Sequence, residues 1–189
     1  MKKDIEEKLN IVANNFLALS AISKDIEEVA KACISSIQNG GKIIFMGNGG
    51  SASDAEHMAS ELVGRYKLNR RPLPAISISS NCSNITSLGN DFGFSAIFER
   101  QVVALGKPED IIIAISTSGK SENIISSLKT AKNMGIKTVL LTGDFDSDAK
   151  KIADLAISAP SKITNNIQEM HIAIGHILCD IIEKTLCDN

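Results

Sequence analysis

Five short apolar runs alternate with stretches of helical character: KIIFM at 42–46, PAISISS at 74–80, DIIIAIS at 110–116, KTVLLTG at 137–143 and DLAISAP at 154–160. That alternation limits the fold more than composition does. Most of the runs are apolar at consecutive positions, as strands are when helices cover both faces of a parallel sheet. Helices are predicted over 51–66, around 94–105, over 121–134, briefly near 147–153 and over about 166–186. The pattern is that of an α/β, doubly wound domain with a five-stranded parallel sheet, whose ligands belong at the carboxyl ends of the strands.

Residues 1–40 precede the first strand and carry two apolar seams, Ile5, Leu9, Val12, Phe16 and Leu19, then Ile22, Ile26, Val29, Cys33 and Ile37. Steps of three and four make a narrow stripe suited to another helix. SAISKD at 20–25 is read as the break between the two helices, and QNGG at 38–41 as the end of the second. The 189 residues are accordingly read as one domain, with 1–40 packing between chains and 41–189 forming the α/β core. A net charge of −2 and the lack of a basic block argue against nucleic acid, and NRR at 69–71 is expected to be a solvated loop. No apolar run is long enough to span a bilayer, and MKKDIEEKLN lacks the apolar core of a signal peptide, so a cytoplasmic protein with no membrane partner is expected. Cys33, Cys82, Cys179 and Cys187 show no C-x-x-C spacing, so free thiols are expected and a zinc ribbon is excluded.

The first apolar run enters GNGGSA, which fits the dinucleotide fingerprint G-x-G-x-x-A at Gly47, Gly49 and Ala52. That use needs an acid about 20 residues on to hold the ribose, and 62–90 contains neither Asp nor Glu. STSGKSEN at 116–123 imitates the end of a Walker A loop, but the position of its opening glycine is Ala114, inside a strand. What the two turns share is a helix N-terminus with unpaired N–H groups and nearby hydroxyls, a setting for an anion. Ser51 and Ser53 serve the first; Ser116, Thr117, Ser118 and Ser121 serve the second. Serines often only cap helices. Four hydroxyls within six residues exceed what one cap needs, which favours a phosphate.

On the helix after the first turn, His57 and Glu61 are four apart and meet on one face, with Arg65 a further turn on. The last helix is apolar on nearly all sides around 172–182, yet His176 and Asp180 interrupt it. Such a helix is expected to be buried, so His176 needs a hydrogen bond or a metal, the plainer alternative being a core His176–Asp180 pair. Gln168 and His171 are the other polar groups of interest there.

Taken together, GNGGSASDAEHMASELVGRY, SNCSNITSLGNDFGFSAIFERQV, ISTSGKSENI and NNIQEMHIAIGHILCDIIE resemble the phosphoheptose isomerases, a sugar-isomerase (SIS) domain family. The resemblance runs from the N-terminal helices to the last helix. It implies interconversion of sedoheptulose 7-phosphate and D-glycero-D-manno-heptose 7-phosphate through an enediol, for bacterial surface heptose. It also implies a homotetramer with sites at subunit interfaces and one Zn2+ per subunit. Carried over by position, it makes His57, Glu61, Gln168 and His176 metal ligands, Glu61 the catalytic base and His176 the acid. The substrate contacts become Asn48, Gly49, Gly50, Ser51, Glu61, Asn90, Asp91, Ser116, Thr117, Ser118, Ser121 and Gln168. Asn166 departs from the pattern, since relatives often have a basic residue before IQE. Gln168 and His176 are eight residues apart, about 12 Å along a helix at 1.5 Å per residue, so ligands shared between chains are expected. Two other classes use the same fold: a non-catalytic binding protein of the replication-initiator-associating type, and a sugar-phosphate sensor. The first is told apart by whether His57, Glu61, Gln168 and His176 all survive, the second by having no need of Glu61; all four are present, which favours the enzyme.

Overall fold

The computed structural model describes residues 1–187. All five runs form strands: β1 (Ile43–Gly47), β2 (Ala75–Ser77), β3 (Ile111–Ile115), β4 (Lys137–Gly143) and β5 (Leu155–Ala159). They pair in parallel in the order β2-β1-β3-β4-β5, with Ile43 opposite both Ala75 and Ile111, Ile111 opposite Lys137, and Val139 opposite Leu155. The helices are α1 (Lys2–Ala18), α2 (Ser23–Gln38), α3 (Gly50–Val63), α4 (Cys82–Phe92), α5 (Glu99–Leu105), α6 (Glu122–Asn133), α7 (Asp148–Ile152) and α8 (Thr164–Cys187). None among the described residues is long and apolar enough to cross a membrane.

The alternation of side chains along each strand divides the core in two. Ile43, Phe45, Ile111, Ile113, Val139 and Leu141 pack with α2, α3 and α8, whereas Ile44, Met46, Ile112, Ala114 and Leu140 pack with α5, α6 and α7. Because both faces are covered, β1 and β3 are buried at every position, which is why their sequences are unbroken apolar runs. Burying each isoleucine contributes about 1.5–3 kcal/mol.

The strand order reverses between β1 and β3. Chain leaves β1 toward α3 on one face and leaves β3 toward α6 on the other. The two turns singled out for an anion therefore stand side by side at the carboxyl edge, at the switch point where open α/β sheets hold ligands.

Several expectations change. β2 has only three residues, because beyond Ser77 the chain folds back: the Gly47 N–H donates to Ser79 Oγ (3.0 Å), and that hydroxyl donates to the Gly47 carbonyl (3.0 Å). The helix α4 was not anticipated, although Asn81 caps it through the Asn84 N–H (3.1 Å) and Ile85, Leu88 and Phe92 keep helical spacing. The break expected at 20–25 is only a 3-10 turn, Leu19–Ile22, since no glycine or proline stops the helical path. The helix expected around 94–105 opens as a 3-10 turn, Phe94–Ala96, before α5.

Neither Arg70 nor α8 behaves as expected. The Arg70 side chain is 3% exposed, not solvated, and its Nε donates to Glu183 Oε1 at 2.9 Å. The same carboxylate accepts the N–H groups of Tyr66, Lys67 and Leu68 (3.0, 2.8 and 3.0 Å), which draws the chain away and ends α3 at Val63 instead of 66. Burial opposes the Glu183 charge, but these backbone donors and Arg70 outweigh it and hold the carboxyl below its ordinary range. Nor is α8 buried all round. Ala173, Ile177 and Ile181 join Phe16, Leu19 and Ile26 in lining an open apolar cavity of about 410 Å³.

Candidate active site

The first turn needs glycine twice. A Cβ on Gly47 would lie 2.4 Å from the Ser51 carbonyl oxygen, and Gly49, which precedes α3, has φ +56°. Asn48 between them is half-buried, and Ser51, in the first turn of α3, is buried. Gly50 meets α8: a Cβ there would lie 2.7 Å from Gln168 Nε2. Gln168 thus stands beside the first turn of α3.

The second turn is bound into itself. Ser116 Oγ accepts the Gly119 N–H (3.2 Å), Ser118 Oγ accepts the Lys120 N–H (3.3 Å), and Thr142 Oγ1 donates to the Thr117 carbonyl (3.4 Å). Ser121 occupies the cap position of α6, yet its hydroxyl makes no capping bond. The plain capping explanation fails at that residue, leaving its oxygen available to a ligand.

Between the turns lies a cleft of about 450 Å³ lined by Asn48, Phe94, Ser95, Ser121, Glu122 and Asn123. Asn90 and Asp91 do not line it. They sit exposed at the end of α4, where Asn90 Nδ2 donates to Asp91 Oδ1 (2.8 Å). A larger cavity, about 630 Å³, opens at the opposite edge of the sheet near Ser36, Glu109 and Lys137 and contains none of the expected site residues.

Two turns along α3, the polar groups of α3 and α8 converge. His57 Nε2 is 3.1 Å from Glu61 Oε1 and 3.4 Å from His176 Nε2, and one donor atom from each of the three lies within 4.8 Å of the others. The helices run side by side in the same direction, Gly50 beside Gln168 and Met58 beside Gly175. Glycine at 175 permits the approach, since a Cβ would lie 2.3 Å from Met58 Sδ. Tyr66 stacks on His176, ring centres 5.8 Å apart. Asp54, one turn before His57, has a buried oxygen without a partner among the described residues; burial raises its pKa, and His57 works the other way.

These positions correct two expectations. His176 does not pair with Asp180, which binds Lys67 (2.8 Å) and Lys184 (2.6 Å). The fully buried histidine of α8 is His171, whose Nε2 meets the Thr142 carbonyl at 3.1 Å. His57, Glu61 and His176 converge within one chain. Sequence reasoning missed Asn123, Tyr66 and the Arg70–Glu183 pair. An acid directly after the apolar pair Ile181–Ile182 in CDIIEK was the available signal for Glu183.

The three clustered groups fit a metal ion. A tetrahedral ion with bonds of about 2.0–2.2 Å holds neighbouring ligands roughly 3.3–3.6 Å apart, close to the separations of 3.1 and 3.4 Å. Two imidazoles and a carboxylate are also a donor set that leaves a zinc position open for a substrate oxygen.

The family model of the SIS domain matches residues 11–143. A phosphoheptose isomerase of Akkermansia muciniphila is 45% identical over 98% of both chains. Among solved structures, a phosphoheptose isomerase from Francisella tularensis superposes with a TM-score of 0.93 at 38% identity, covering 96% of this chain and 97% of that one. One from Neisseria gonorrhoeae gives 0.91 at 32% identity, covering 97% and 98%.

Proposed function

We propose, from the premise that this chain belongs to the phosphoheptose isomerase family of SIS-domain proteins, that it isomerises sedoheptulose 7-phosphate to D-glycero-D-manno-heptose 7-phosphate, toward surface heptose. The observation that carries this reading is the convergence of His57, Glu61 and His176 on helices that start beside the serine cradle. Gly50 and His57 are seven residues apart, about 10 Å along α3, a span an open seven-carbon chain can bridge. The phosphate belongs with Ser116, Thr117, Ser118 and Ser121, and the sugar chain with Asn48, Gly49, Gly50, Ser51 and Gln168. Asn90 and Asp91 would join from the end of α4. A non-catalytic binding role is not favoured, because it leaves the three-residue cluster without a use.

Moving the carbonyl from C2 to C1 requires taking a proton from C1 and returning one to C2 through an enediol. Glu61 suits the carbon-bound proton. Oε1 is the oxygen directed at His57, so Oε2 is left to take it, and one carboxylate can serve as ligand and base. His176, held by Tyr66 against His57, moves the proton between the two substrate oxygens with the ring nitrogen that does not ligate the metal. Zn2+ held by His57, Glu61 and His176, with Gln168 the remaining expected ligand, would supply Lewis-acid polarisation of those oxygens.

The decisive experiment follows aldose formation from sedoheptulose 7-phosphate with and without a chelator, in the wild type and in Glu61→Gln. The variant is expected to lose about 10²–10⁴-fold in kcat, the usual share of a general base. Near-normal turnover in Glu61→Gln rules out the base, and no aldose from the wild type rules out the reaction.

The homotetramer and its cytoplasmic setting belong to the same reading. Supporting it, α1 has no fully buried residue in one chain, Ile5, Leu9 and Phe16 are exposed, and Phe16 lines the apolar cavity over α8. Phe16→Glu is expected to yield a smaller species by light scattering; an unchanged mass removes this seam from the interface.

A further inference from the structure

The two anion turns are tied together by one pair of side chains. Asn48 Nδ2 donates to Asn123 Oδ1 at 3.0 Å, and Asn123 Nδ2 donates to Asn48 Oδ1 at 2.9 Å. Asn123 is 2% exposed in the first turn of α6, while Asn48 is half-buried at the end of β1. Both line the cleft that also holds Ser121. The pair crosses the switch point between β1 and β3, and no other side-chain hydrogen bond among the described residues joins these turns.

A primary amide carries two N–H donors and an acceptor with two lone pairs. The reciprocal bond uses one of each on Asn48 and leaves one N–H and one lone pair. A sugar hydroxyl, itself donor and acceptor, matches that remainder. The terminal torsion of asparagine is broad and two-fold, so an unpaired Asn48 could present either face of its amide. A buried partner able to bond both atoms at once removes that freedom before the ligand arrives.

We infer that Asn123 is a positioning residue for the sugar chain: its buried amide fixes the Asn48 amide so that a hydroxyl-bearing segment of the substrate is bound between the phosphate cradle and the His57–Glu61–His176 cluster. This rests on the phosphosugar reading of the cleft. Asn123 acts through Asn48, whereas the phosphate depends on the hydroxyls of Ser116, Thr117, Ser118 and Ser121. The two parts of the ligand should therefore respond differently to its loss.

The experiment compares wild type with Asn123→Leu, which keeps the side-chain volume, and Asn123→Ser, which keeps a small polar group that cannot reach Asn48. Calorimetric binding of sedoheptulose 7-phosphate and of inorganic phosphate is measured for every variant that melts cooperatively, together with kcat and KM. Freeing the Asn48 amide, which must then be oriented by the ligand itself, predicts roughly a 10-fold loss for the sugar phosphate, about 1.4 kcal/mol, little change for inorganic phosphate, and a KM that rises more than kcat falls. Equal loss for both ligands makes Asn123 a prop for the loop and overturns the inference, as does unchanged binding of both. Because calorimetry reports binding whether or not the bound sugar reacts, failure of the isomerase reaction itself would show separately, as sugar phosphate bound by the wild type with no aldose formed.

Discussion

His171 should make the protein acid-labile in a defined window. It is fully buried on α8, with Nε2 3.1 Å from the Thr142 carbonyl and Nδ1 without a partner among the described residues. The neutral ring satisfies this setting with Nε2–H as donor. A protonated ring would bring a charge and a second N–H to a place with no acceptor. Burial accordingly pushes its pKa down to about 4 from 6.5, with the Thr142 bond opposing weakly. The unfolded chain then binds a proton that the folded chain refuses. The stabilising contribution is complete above pH 6.5 and is lost as pH falls toward 4. At 1.36 kcal/mol per pH unit the gap amounts to about 3 kcal/mol, a large part of an ordinary stability of about 5–15 kcal/mol. The reference is His171→Gln, which can still donate to Thr142 but does not titrate. Urea unfolding of both proteins at intervals from pH 7.5 to 4.5 isolates the term, since the carboxylates common to both cancel. The wild type should lose stability faster than the variant below pH 6.5. Parallel curves, or a His171 ring resonance that titrates near pH 6.5 in the folded protein, would refute the assignment. Thr142 Oγ1 also bonds the Thr117 carbonyl, so phosphate binding should weaken in the same window.

Two further substitutions probe how α3 and α8 are held. Gly175→Ala sets a Cβ 2.3 Å from Met58 Sδ; overpacking of about 1–3 kcal/mol exceeds the roughly 1 kcal/mol gained in helix propensity. A lower melting temperature and weaker zinc binding by titration are expected, both recovered in part by adding Met58→Val; zinc affinity equal to wild type would show that helix spacing does not set the cluster. Arg70→Ala leaves the buried Glu183 carboxylate without its cation and should cost about 3–5 kcal/mol in urea unfolding. Replacing Glu183 with leucine as well should not restore stability, because the N–H groups of Tyr66, Lys67 and Leu68 then lose their acceptor; recovery in the double variant would show that the backbone donors contribute little.

What could be read in advance follows from where the information lies. The continuous apolar runs at β1 and β3 report burial on both faces, so the sheet and its parallel sense were legible. The reading that GNGG and STSG make neighbouring turns came with the fold, because the switch point follows from strand order. Arg70 was misread because charge in a short polar segment ordinarily faces water, and its partner lies 113 residues away. His176 was read as the buried histidine of α8, a place that His171 holds, for a related reason. The apolar pattern of α8 includes Ala173, Ile177 and Ile181, which lie open in one chain, so helical periodicity alone pointed to the wrong side as the core. The helix α4 was hidden by serine and asparagine, weak helix formers in a helix interior, although Asn81 is a favoured cap.

The two ends of the proposed site are prepared in different ways, and this bears on what a ligand must do. At the cradle the polar groups already satisfy one another: Ser116 with Gly119, Ser118 with Lys120, Thr117 with Thr142, Asn48 with Asn123. Such groups are ordered before binding, and an anion meets them with little left to arrange. At the other end two imidazole nitrogens face each other at 3.4 Å, a separation that calls for a shared proton or a cation. The cluster is in addition only partly shielded, with the His57 side chain 47% exposed. Its approach is set by the packing of α3 and α8 and its final closure by what occupies it, whereas the cradle's geometry is set by the fold alone. A chelator should consequently abolish turnover while leaving inorganic phosphate binding within about two-fold of its original affinity, a change below roughly 0.5 kcal/mol. Loss of phosphate binding on metal removal would mean that the two ends are one cooperative unit, and the separation argued here between fold-built and ion-built geometry would fail.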